Sequence, residues 1–174
     1  MARQPEPHGE HGGSVKQPNS RNCFACGLEN PFGLGLTFYE IGPDRLESHY
    51  TVPEHFEGYP GVVHGGIIAS MLDEMVSRAA MIGQHNRFMM TAKLEIRYRK
   101  PVPTGEELHL QAQLTRPAGR VATANARITL LDGSVAAEAE ATLAPMPGGP
   151  KDESLLDSLG WRLYPDNPTE ASEG

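Results

Sequence analysis

The sequence predicts an α+β domain in which one buried helix lies against an antiparallel sheet. Three observations predict it. Residues 65–82 follow a Gly-rich loop and carry Ile67, Ile68, Met71, Leu72, Met75, Val76, Ala79 and Ala80 at helical spacing, a broad apolar face. Two alternating apolar–polar runs precede this helix and four follow it, each bounded by turn residues. The last two runs are rich in alanine (Ala122, Ala124, Ala126, Ala136, Ala137, Ala139, Ala141), and such small residues let a long helix lie close to a sheet. Two strands, a helix and four more strands make an α+β order, with the sheet wrapped round the helix.

Residues 1–21 are rich in Pro, Gly, His and polar side chains and read as a disordered tail. Cys23-Phe24-Ala25-Cys26 follows. A Cys-x-x-Cys pair serves metal knuckles and redox centres, but only His8 and His11 could complete a Cys₂His₂ set, and both lie in the tail. The plainer expectation is a Gly- and Pro-rich turn packed under the first strand. Residues 34–41 and 45–52 form a hairpin about Gly42-Pro43-Asp44, and residues 53–63 are a loop. The helix stops at Gly83. Strand 90–99 places Ala92, Leu94, Ile96 and Tyr98 on one face. Alternation puts Thr91, Lys93, Glu95, Arg97 and Arg99 on the other, until Pro101 and Pro103 end the strand. Strands 108–115, 121–131 and 135–144 are joined by a turn at 116–119 and by Asp132-Gly133. Residues 146–174 are a polar tail, in which Leu155, Leu156, Leu159, Trp161 and Leu163 could dock as a short surface anchor.

The chain of 174 residues allows one domain with a real core. A net charge of −7 argues against nucleic acid as a general partner. No apolar run is long enough to span a membrane, and the first residues lack the apolar stretch of a signal peptide. Two cysteines without such a signal point to a reducing cytoplasm.

The chemistry concentrates at residues 61–78. The amides of Gly65, Gly66 and Ile67 open the helix and have no partner within it. Donors of that kind, backed by the helix dipole, can polarise a carbonyl and hold the oxyanion formed from it. Asp73 lies at the edge of the apolar stripe, with Ser70 and Ser77 on its own side, where a carboxylate is poorly solvated. Glu74 has Arg78 four residues on, the spacing of a surface ion pair. Acyl transfer to water is the reaction class that suits these parts.

His64-Gly65-Gly66 with an acid nine residues after the histidine resembles the hotdog-fold acyl-CoA thioesterases of the 4-hydroxybenzoyl-CoA and phenylacetyl-CoA type. The resemblance extends to Met90-Thr91-Ala92-Lys93-Leu94-Glu95-Ile96-Arg97-Tyr98-Arg99-Lys100-Pro101-Val102-Pro103. It also covers the lead-in Cys-x-x-Cys-Gly-x-x-Asn-Pro-x-Gly-Leu from Cys23 to Leu34. It spans residues 22–145, between the two tails. It implies an antiparallel six-stranded sheet around one central helix, in a homodimer or a dimer of dimers joined at strand 90–99. Implied roles are Gly65 as main carbonyl donor, Gly66 as secondary donor, and Asp73 as general base or nucleophile. Thr91, eighteen residues after the acid, would orient water from across the dimer. Alternation agrees, since it turns Thr91 away from the core-facing set. His64 would shape the loop. Gly58 stands six residues before the motif histidine, where some relatives carry Asn or Gln on the carbonyl. Arg97 and Arg99 are candidates for the phosphates of an acyl-CoA. No cofactor and no metal is implied. The alternatives are an acyl-thioester hydratase or dehydratase, a non-catalytic acyl-CoA-binding protein, and a zinc-knuckle protein.

Overall fold

A computed structural model describes residues 13–116, 120–147 and 153–166. The N-terminal stretch with His8 and His11, most of the turn at 116–119 and the last eight residues lie outside them. In chain order the elements are β1 (Val15–Lys16), β2 (Tyr39–Glu40), β3 (Arg45–Thr51), a 3₁₀ turn (Glu54–Phe56), β4 (Glu57–Tyr59) and β5 (Val62–Val63). They continue with α1 (Gly65–Ala79), β6 (Met89–Tyr98), β7 (Glu107–Arg116), β8 (Ala122–Thr129), β9 (Val135–Pro145) and α2 (Glu153–Ser158). β1, β2, β3, β7, β8, β9 and β6 form one antiparallel sheet in that order, and β4 pairs with β5 alone. This is the hotdog fold, with a seventh strand, β1, added to the six expected.

The buried stripe of α1 is Ile68, Met71, Leu72, Met75, Val76 and Ala79. It rests on β8 and β9, whose Ala122, Ala124, Ala126, Ala139 and Ala141 point inward and are nearly inaccessible. Each large side chain fully buried here contributes about 1.5–3 kcal/mol. No helix among the described residues is long and apolar enough to cross a membrane.

The first strand is shorter than expected. Leu34, Leu36 and Phe38 do point inward, but the backbone of 34–38 bonds to the lead-in rather than to β3: Leu34 N–H to Phe24 O at 2.7 Å and Leu36 N–H to Ala25 O at 2.9 Å. Residues 15–21 also belong to the fold. Gln17 and Asn19 are fully buried, and Asn19 Nδ2 donates to Cys26 O and Leu36 O, both at 2.7 Å. Asn19 also exchanges backbone bonds with Arg162, so the two ends of the described chain close on each other. Trp161 Nε1 donates to His85 O at 3.0 Å.

These end segments overturn one expectation. Glu74 and Arg78 are not at the surface. Segments 14–26 and 153–166 cover that side of α1, and Arg78 is 2% exposed. Its guanidinium lies between the rings of Phe38 and Trp161, at 4.4 and 4.7 Å, and donates to Glu74 Oε1 at 2.8 Å and Pro18 O at 2.6 Å. Burial pushes the Glu74 carboxyl up to about 7, against the pull of Arg78.

Candidate active site

The start of α1 is fixed by His64. Its N–H donates to Phe56 O at 2.9 Å, and its Nδ1 accepts the amide of Gly66 at 2.9 Å as an N-cap. A neutral ring in this role carries its proton on Nε2. His64 O accepts the amide of Ile67 at 2.9 Å. Two of the three expected carbonyl donors are therefore occupied. Among the described residues the Gly65 amide has no partner, so Gly65 is the free donor and Gly66 is not. Gly58 passes directly over His64: a Cβ there would sit 3.2 Å from His64 Cα and Cδ2. The structure packs Gly58 against the motif histidine, and any side chain there would press on it by a few tenths of an ångström.

Tyr98 was not singled out from the sequence as a site residue. Its hydroxyl donates to Gly65 O at 3.0 Å, and its ring stands beside Gly65 with 54% of the residue exposed. The only signal in the sequence was its place on the face shared with Leu94 and Ile96.

Asp73 is half-buried and accepts the Thr91 hydroxyl at 2.6 Å. Ser77 Oγ is 3.5 Å from Thr91 Oγ1, whereas Ser70 turns back to Gly66 O at 2.9 Å. Thr91 thus meets Asp73 of its own chain. Alternation failed here because β6 carries a bulge: Thr91 opposes Leu143 and Lys93 opposes Thr142, leaving Ala92 extra. The inserted residue keeps Thr91 on the helix-facing side together with Leu94 and Ile96.

Arg97 and Arg99 are not brought to this cluster. Arg97 lies 3.8 Å from Glu95, and Arg99 is paired with Glu138, both on the outer face of the sheet. Cys23 and Cys26 are free thiols, and with Glu74 their donor atoms lie within 4.8 Å of one another. A hydrogen bond from Cys26 holds the Cys23 thiol down to about 6, and the same bond with burial pushes Cys26 up to about 12. The Arg78 guanidinium bonded to Glu74 opposes a cation at this spot.

Residues 60–137 match the thioesterase superfamily model. The chain carries the hotdog fold of the thioesterase superfamily. Acyl-coenzyme A thioesterase THEM4 of Rattus norvegicus is 32% identical over 106 residues, 60% of this chain and 45% of the relative. The 3-hydroxyacyl-[acyl-carrier-protein] dehydratase FabZ of Bacillus subtilis is 31% identical over 93 residues, 52% of this chain and 64% of the relative. A solved thioesterase superfamily protein is 30% identical with a TM-score of 0.65, covering 71% of this chain and 60% of that one. The chain spans less than half the length of the first curated relatives it matches.

Proposed function

We propose that the protein is an acyl-CoA thioesterase whose site is shared between two subunits. The observation that carries the reading is the Asp73–Thr91 pair on α1 and β6, together with a free Gly65 amide at the start of the same helix. The carboxylate, as general base, takes a proton from water as that water attacks the thioester carbonyl. Thr91 holds one carboxylate oxygen so that the other faces the water. The Gly65 amide stabilises the oxyanion, and CoA thiolate leaves with a proton. Direct attack by Asp73 uses the same geometry.

One chain cannot assemble this centre. Gly65 and Asp73 are eight residues apart on α1, about 12 Å along the axis. A base acting through one water reaches a carbonyl carbon within about 6 Å, and the C–O bond and the hydrogen bond to the donor amide extend that span to about 10 Å at full stretch. β6 is the sheet edge, ten residues long, and among the described residues no strand pairs with its outer side. Two such edges paired antiparallel about a two-fold axis set the two helices side by side in opposite directions. The start of one helix then lies beside the third turn of the other. Gly65 of one subunit serves the same thioester as Asp73 and Thr91 of its partner.

Thiol release from a panel of acyl- and aryl-CoAs tests the proposal. Asp73→Asn should lower kcat by roughly 10²–10⁴ with the melting temperature unchanged. An unchanged kcat removes Asp73 from the chemistry. The FabZ relative supports a second reading, addition or removal of water at a 2,3 bond of an acyl thioester. Hydration of a 2-enoyl-CoA without thiol release would favour it.

A further inference from the structure

The outer face of the sheet carries a second cluster, across the sheet from Asp73. β3 and β7 pair so that His49 lies opposite His109, and their rings stack with centroids 4.5 Å apart and 13° between planes. Leu46, Ser48, Tyr50, Leu108 and Leu110 are buried beneath, so the odd-numbered residues of both strands face outward. This places one acid two residues before each histidine, and the pairs cross over between strands. His109 Nε2 is 3.1 Å from Glu47 Oε2, and His49 Nδ1 is 3.4 Å from Glu107 Oε1. One donor atom from each of Glu47, His49 and His109 lies within 4.8 Å of the others. The imidazoles are 28% and 32% exposed, enough for an ion to enter from water.

We propose that Glu47, His49 and His109 bind one divalent transition-metal ion, zinc first, with Glu107 holding the His49 ring from behind. Two imidazoles and a carboxylate suit a borderline metal, whereas magnesium and calcium take oxygen donors. Two ligand atoms on a tetrahedral zinc stand about 3.3 Å apart. The His109–Glu47 pair is already at that spacing. With Nδ1 held toward Glu107, His49 would bind through Nε2, the carboxylate–histidine–metal arrangement that fixes a tautomer. The stacked rings close on the ion by at most about 1.5 Å, a tilt at the side-chain torsions that leaves the strands in place.

Equilibrium dialysis of the full chain against Co²⁺ and Zn²⁺ at neutral pH, with visible spectra of the cobalt form, tests the site. The expected result is one ion per chain, d–d bands without a thiolate charge-transfer band, and weaker binding as pH falls and protons compete. His49→Gln and His109→Gln should each weaken binding at least about tenfold. Cys23→Ser/Cys26→Ser should leave it unchanged. Binding that survives loss of both histidines, binding that disappears with the cysteines, or no saturable binding at all overturns the proposal. If a histidine variant does not melt cooperatively, Glu47→Gln supplies the same comparison. Histidine-ring NMR signals of the unaltered chain add a direct readout, since two rings must shift together on adding Zn²⁺ and a single shifting ring refutes the site.

Discussion

Replacing Gly65 by proline deletes the proposed oxyanion donor without disturbing the helix it opens. Gly65 is the first helical residue, where proline is favoured because that N–H has no helical partner. The preceding residue, His64, has φ −60° and ψ 136°, the region a residue before proline must occupy. A Cβ at 65 would stand 3.8 Å from the Tyr98 ring, an ordinary contact. No internal hydrogen bond of the Gly65 amide is lost, and the unfolded chain loses freedom. Stability should therefore hold or rise by about 0.4–1 kcal/mol. Loss of one oxyanion donor costs about 2.7–4 kcal/mol of transition-state stabilisation, or 10²–10³ in kcat. Gly65→Ala adds a comparable methyl contact and keeps the amide. Thiol-release kinetics and thermal melts on both variants form the assay. The expected outcome is a kcat collapse in the proline variant, near-normal kcat in the alanine variant, and melting at or above wild type in both. A proline variant that keeps its activity, or an alanine variant that loses as much, refutes the role of the amide.

Thr91→Val removes the hydroxyl that donates to Asp73 at 2.6 Å and keeps the side-chain shape. Loss of a hydrogen bond to a charged group, worth about 1.5–3 kcal/mol, predicts a kcat roughly ten- to a hundredfold lower, with Thr91→Ser close to normal. Equal activity in all three proteins would dismiss the contact as incidental. Glu74 makes a pH prediction. Its folded-state value is raised from 4.5 to about 7, so its contribution is fully present below pH 4.5 and is lost as pH rises through 7. The wild-type melting temperature should fall across that window more steeply than that of Glu74→Gln. Parallel profiles would show that Glu74 is charged throughout.

The helix and the long strands β3 and β6 to β9 were legible because their apolar periods are local and strong. α1 begins at the residue expected, and the buried alanines of β8 and β9 carry it. What the sequence hid was set by distant segments or by a single inserted residue. Glu74 and Arg78 have the spacing of a solvent-facing pair, and nothing within one helix reveals that residues 14–26 and 153–166 cover them. Those segments look like tails because they are polar. Their ordering rests on particular partners, Asn19 with Leu36 O and Trp161 with Arg78, and not on apolar periodicity. The bulge at Ala92 has no composition signal, yet it reverses the face of Thr91 and brings its hydroxyl to Asp73 of the same chain. Gly65 and Asp73 were identifiable as chemical parts. Their separation of about 12 Å along the helix is what motivates the proposal that each chain supplies halves of two different sites.

That division can be tested with two dead enzymes. Chains carrying Gly65→Pro and chains carrying Asp73→Asn, co-expressed with different tags, give a mixed dimer that two affinity steps isolate. In one of its sites the intact Gly65 of the Asp73→Asn chain meets the intact Asp73 and Thr91 of the Gly65→Pro chain. The other site combines both lesions. The mixed dimer should therefore recover about half of wild-type kcat per dimer, although each parent homodimer is nearly inactive. A site built within one chain predicts the opposite, because every chain of the mixed dimer carries its own lesion. Recovery would also fix the direction of sharing, since Thr91→Val placed on the Asp73→Asn chain should leave the recovered activity untouched. Placed on the Gly65→Pro chain it should remove most of it, because only that chain's Thr91 touches a working Asp73. No recovery in the isolated mixed dimer would overturn the shared site and return the base and the donor to a single subunit, in spite of the rise of about 12 Å along α1 between them.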